Sequence, residues 1–131
     1  IALTALLIAA LPFFGLWMIP EEFTPVTASI TQQEIVVSHV KQEYTIGLGS
    51  IDSVELLQEL PGRSKLVGTD FNTLNKGKFN VQGIGKCNVC LDPTQGPFLL
   101  IRTDQTVYLI NVETPEKTVQ LYEQLCSLLE S

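Results

Sequence analysis

Few side chains in this chain of 131 residues are of a kind that does chemistry, and their spacing limits what that chemistry is. Cys87 and Cys90 stand in KCNVCLDPTQG (86–96) with the C-x-x-C spacing of a redox dithiol or of half a zinc site. A zinc site wants a second pair, and the chain offers only Cys126 and a single histidine, His39. A thioredoxin-like dithiol opens a helix after a strand; here a Pro- and Gly-containing turn, DPTQGP (92–97), follows instead. If CNVCL (87–91) is a strand, residues three apart point to opposite faces and the two thiols diverge. The preferred reading is structural: two small side chains packed in a strand, ahead of redox or disulfide chemistry and of metal binding. Three cysteines, an odd count, also argue against a complete disulfide framework.

His39, on EIVVSHV (34–40), has no Ser–Asp partner motif, so a Ser-His or Cys-His enzyme would rest on it alone. Glu55 and Glu59 read as solvated. GIGK (83–86) lacks the G-x-x-x-x-G-K-[ST] spacing of a phosphate loop. No residue is assigned a catalytic or metal role, and no cofactor is expected. One charge feature is less ordinary. Arg63, Lys65, Lys76, Lys78 and Lys86 are five of the eight basic residues, and Asp70 is the only acid among them, so 63–86 carries +4 in a chain of −6. Near a membrane such residues attract anionic headgroups by about 1 kcal/mol each. The competing reading is solubilising loop charge. The net acidity itself argues against general nucleic-acid binding, which depends on neutralising phosphates.

The elements that position these residues begin with IALTALLIAALPFFGLWMIP (1–20), a stretch with no charged residue. A membrane span needs about 20 predominantly apolar residues. Trp17 sits where an interfacial aromatic belongs, and Pro20-Glu21-Glu22 marks an exit into water. Pro12 would kink the helix, which membrane helices tolerate. The segment predicts a transmembrane helix at 1–20, the end of a longer membrane region given the initial Ile. The alternatives are a signal peptide, with Val26-Thr27-Ala28 as cleavage pattern, and a buried core helix.

From residue 24 on, the hydrophobic period becomes two. Ile35-Val36-Val37 and Tyr44-Thr45-Ile46 predict a pair of strands, and 51–61 a further one. Residues 62–77, rich in Gly, Asn, Ser and Thr, read mostly as loop, with one short strand as the alternative. Strands follow at 78–83, 87–91, 98–103 and 106–112, with FLLIRT-DQ-TVYLINV the clearest hairpin. Thr114 as N-cap, Pro115 at the first turn and Glu116 open a helix whose apolar face runs from Val119 to Leu129. That face must be buried, and the preceding sheet is the nearest surface.

GRSKLVGTDFNTLNKGKFNVQGIGKCNVCLDPTQGPFLLIRT and TVYLINVETPEKTVQLYEQL together resemble the bacterial PH domains, pleckstrin-homology-like domains of bacterial and often membrane-anchored proteins. The basic residues and Gly68, then Gly77-x-Phe79, Gly83-x-Gly85, the strand pair and the helix start at 111–117 carry the likeness, which covers about residues 24–130. The resemblance implies a mainly β domain over 24–131. It would be a bent, roughly orthogonal antiparallel sandwich or partly open barrel of about seven strands, with the C-terminal helix (115–129) plugging one end. It implies no enzymatic activity and a place at a bacterial plasma membrane. The K-x-n-[KR]-x-R motif of lipid-binding relatives is missing, so no lipid specificity carries over. The expectation is a membrane-anchored, non-catalytic binding or scaffold module whose partner is a protein, met through a sheet edge or the open end of the barrel. Anionic-lipid recognition through Arg63, Lys65, Lys76, Lys78 and Lys86 is the alternative, and thiol redox chemistry at Cys87 and Cys90 a third.

Overall fold

The computed structural model describes residues 24–40 and 42–130. The transmembrane helix expected at 1–20 lies outside them; among the described residues no helix is long and apolar enough to cross a membrane.

Three strands, β1 (Thr27–Ile30), β2 (Glu34–His39) and β3 (Gln42–Gly47), form an antiparallel sheet in the order β1-β2-β3. Alternation builds it: Ile35, Val37 and His39 are buried while Glu34, Val36 and Ser38 face outward. A 3-10 turn, Leu48–Ser50, leads into the second sheet. Its strands are β4 (Ile51–Leu57), β5 (Arg63–Phe71), β6 (Leu74–Val81), β7 (Gly85–Leu91), β8 (Phe98–Thr103) and β9 (Val107–Ile110), ordered β4-β8-β9-β7-β6-β5. The fold is therefore mainly β, as expected.

Four expectations are corrected. Residues 27–51 contain three strands rather than two, because the short β1 pairs with β2 from Thr27↔Ser38 to Ile30↔Ile35. Residues 62–77 are not mostly loop: they supply nine-residue β5 and the start of β6, paired from Arg63↔Val81 to Phe71↔Leu74. The pattern was hidden because β5 is exposed on both faces and so has no apolar period. The described strands number nine, not about seven, and lie in two sheets without closing a barrel. Nor is the pairing wholly antiparallel. β9 inserts between β8 and β7 and runs parallel to β7 at Asn88–Cys90, since strands two apart in an up-and-down path share a direction.

The larger sheet has apolar residues on both faces. Cys90, Leu99, Ile101 and Ile110 pack with Ile35, Val37 and Ile46 of the small sheet and with Leu121 and Leu125. Phe79, Val81, Cys87, Val89, Leu100 and Leu109 form the second core on the other face, where Leu57 and Leu60 fold over them.

The helix α1 (Pro115–Glu130) buries Thr118, Leu121 and Leu125 and packs on β4 and β8. Its start is fixed as the residue types predict: the Lys117 backbone N–H donates to Thr114 Oγ1 at 3.2 Å. Thr118, fully buried, receives a bond from the Val112 N–H at 3.0 Å. The Glu113 N–H bonds the Val26 carbonyl at 3.0 Å, tying the helix lead to the start of β1.

Candidate binding cleft at the open side of the sandwich

β3 and β5 are each an end strand of their sheet, and the sandwich is open beside them. An open cleft of about 540 Å³ lies there, walled by Gln42 and Tyr44 of β3, Val67 and Thr69 of β5, Lys76 and Lys78 of β6 and Asn88 of β7. The β5–β6 hairpin is able to form one wall only because two glycines cross. Gly68 and Gly77 are paired, with φ of +130° and +120°, and a Cβ on either would stand 2.1–2.2 Å from a carbonyl oxygen of the facing strand. Tyr44 reaches across the floor. Its hydroxyl lies 3.4 Å from the Gly77 carbonyl and 3.3 Å from that of Val89, and its ring meets Tyr108 edge-on at 5.5 Å. Burial, above all, pushes the Tyr44 hydroxyl up to about 12, with Cys90 and Tyr108 adding to it, so it remains a donor at neutral pH.

The five basic residues expected to form a patch are divided by the pairing register. Lys76, Lys78 and Lys86 share the face that looks toward the small sheet, since Lys78 pairs with Asn88 and Lys86 with Asn80. Arg63 and Lys65 pair with Val81 and Phe79, on the opposite face. Lys76 is only 7% exposed. Its ammonium donates to the Val40 carbonyl at 2.7 Å and lies 3.1 Å from His39 Nδ1. His39 Nε2 lies 2.9 Å from the Thr24 carbonyl, which can only accept. The proton therefore sits on Nε2, and Nδ1 accepts from Lys76. This pair clamps the β2–β3 turn to β6 and accounts for the sole histidine structurally.

Arg63 Nε donates to Asn75 Oδ1, and Asn75 Nδ2 donates to Asp70 Oδ1 at 2.9 Å and to the Phe71 carbonyl at 3.4 Å. Asn75 is fully buried, so one amide ties both arms of the β5–β6 hairpin together. Lys78 and Lys86, both exposed, border a shallow recess of about 200 Å³ that includes Asn88, Gln105 and Thr106.

Cys87 and Cys90 diverge, one into each core, and both are buried cysteines outside any disulfide. Burial pushes the Cys87 thiol up, against a smaller opposing pull from Arg102. That is the reverse of an activated dithiol. Among the described residues no cluster of three or more His, Cys, Asp or Glu side chains is arranged to hold a metal ion. A further cavity, about 350 Å³, opens between the β1 start and the 92–95 turn. Asn111 builds its wall by bonding the Asp92 N–H and the Asp92 and Gln95 carbonyls at 2.8–3.0 Å.

Sequence reasoning missed Tyr44, Asn75, Asn111 and the β5 edge. One signal was present: Gly68 and Gly77 lie symmetrically about the Asn72-Thr73 turn, as facing residues of a hairpin must. At the edge itself Leu66 is 48%, Val67 67% and Phe71 49% exposed. Leu66 is the extra residue of a bulge, because the register shifts between Lys65 and Val67.

Two β-sheets packed face to face, a C-terminal helix against one side and a cleft left open on the other make a mainly β domain of PH-like form. Residues 26–126 match the family model described as Bacterial PH domain, and the chain belongs to that family. Searches of curated proteins and of solved structures gave no significant match.

Proposed function

We propose that this chain is a non-catalytic binding module whose partner is a protein, engaged at the open side of the sandwich and held near a membrane by the apolar segment 1–20. One observation carries the reading: a nine-residue edge strand exposes Leu66, Val67 and Phe71 together and has no strand on its outer side among the described residues. Isolated exposed apolar residues are ordinary, but a row of them on an unpaired edge is a template for another chain. Membership of the PH family supports a binding role, and the uncharged composition of 1–20 supports the anchor.

The test is photo-crosslinking in cells that make the full chain, with the reactive side chain at Leu66 or, for comparison, at the exposed helix position Glu123. A discrete protein adduct from position 66 and none from 123 is the expected result. Equal or absent labelling at the two positions refutes the reading.

A second reading rests on Lys78 and Lys86, which flank the recess on one face. There they would meet anionic headgroups. Sedimentation with anionic but not neutral vesicles, lost at physiological salt and in Lys86→Glu, would favour it.

A further inference from the structure

The open side of the sandwich has a shape and a charge that together specify what kind of segment it takes. Resting on the reading that the partner is a protein, we infer that the partner supplies an extended, acidic segment that adds as a strand to the outer edge of β5 and turns its carboxylates toward Lys78.

The backbone of β5 is one side of this site. β5 ends the six-stranded order, so its outward N–H and C=O groups have no neighbouring strand among the described residues. Main-chain pairing would supply affinity there, and alternate side chains the specificity.

The cleft is the other side. Val67 and Thr69 pair with Lys78 and Lys76 and so share the cleft face. A strand laid beside β5 would run about 9–10 Å from β6, twice the spacing of neighbouring strands. A glutamate on its cleft face and the Lys78 side chain together span that distance. The cleft has room for both, at about 540 Å³, and Tyr44 forms its floor.

Charge selects the sign. Residues 63–86 carry +4, and their one acid, Asp70, already accepts from Asn75. Lys76 is engaged with His39 and Val40, which among the described residues leaves Lys78 as the exposed cation lining the cleft, with Lys65 on the opposite face of β5. Lys78 is therefore complementary to a negative partner, and because the remainder of this chain is itself acidic, a second copy is the competing occupant that the test has to separate.

The probe is an end-blocked octapeptide of valine and threonine with glutamate at two alternate positions, compared with the same peptide carrying lysine there. Binding to the full 131-residue chain is followed by amide chemical shifts. The expected result is saturable change confined to β5, Tyr44 and Lys78, with amide protection gained along β5. Affinity should fall at least about tenfold for the lysine peptide and for Lys78→Glu, and should weaken with added salt. Lys78 is exposed, so the variant keeps its fold. Equal binding of both peptides overturns the inference, as do shifts that map elsewhere. Self-association of the chain through β5 overturns it as well, since the occupant is then a second copy. If Leu66 crosslinks a protein in cells but the acidic peptide does not bind, the acidic-strand inference falls and the binding-module reading stands. If neither occurs, both fall.

Discussion

Strands β8 and β5 belong to the same sheet and live in different surroundings. β8 buries Phe98, Leu99, Leu100 and Ile101 in succession, Leu99 and Ile101 into one core and Phe98 and Leu100 into the other. β5 has neighbours on one edge only and is exposed along most of both faces. A strand covered on both faces holds the fold together, and its residues are dictated by packing. A strand bared on both faces holds little and is free to be selected for recognition. Within the β5–β6 hairpin the paired Gly68 and Gly77 and the Asn75 amide join the two arms, while β6 alone is anchored, by Phe79 and Val81 in the core and by Lys76 at the β2–β3 turn.

That contrast is broken most severely at the crossing. Gly77→Ala should destabilise by about 4 kcal/mol, the sum of left-handed strain and a Cβ forced against the Val67 carbonyl. Gly83→Ala, also at positive φ but with open space around it, should lose only about 1 kcal/mol. Urea unfolding of the two variants measures the difference. Next, Leu100→Ala should lose about 3 kcal/mol through the cavity it leaves. Leu66→Ala should stay within about 0.5 kcal/mol of the parent, because no core is disturbed at the edge. Equal losses at the two sites would abolish the distinction between the strands.

Asn75→Ala should destabilise by about 2 kcal/mol, because it leaves Arg63 and Asp70 without their shared amide. The same equilibrium unfolding experiment reads it, and Arg63→Lys should recover little, since the ammonium lacks the planar guanidinium geometry. The smallest effect concerns pH. The Tyr44 hydroxyl titrates higher in the folded chain than in the unfolded one, at about 12 against 10.0. Its contribution is therefore fully present below pH 10 and lost between pH 10 and about 12. Absorbance titration should show late phenolic ionisation, to which Tyr122, pushed up beside Cys126, also contributes, and Tyr44→Phe should remove the Tyr44 part of it.

What the sequence revealed follows the same division. The β8–β9 hairpin was plain in FLLIRT-DQ-TVYLINV because burial on both faces writes a continuous apolar run. The helix was plain because Thr114, Pro115 and Glu116 are start signals independent of tertiary context. The divergence of Cys87 and Cys90 followed from strand geometry alone. β5 was hidden because a strand without a buried face has no period to read. β1 was hidden because four residues are too few to show one. The basic residues were visible as a group in the chain, yet their division between two faces depends on register, and the bulge at Leu66 decides that register. The charge on Lys76 gave no hint that it would be buried against His39, a contact between residues 37 apart.

The central claim is that the outer edge of β5 is open in the free protein while β8 is closed. Residue-resolved amide hydrogen exchange on the full chain tests it most directly. The account predicts that alternate amides of β5, those pointing away from β6, exchange nearly as fast as unstructured peptide. The amides of β8 should exchange only through global unfolding. If the outward amides of β5 are protected as strongly as those of β8, the edge is already covered and the account is contradicted.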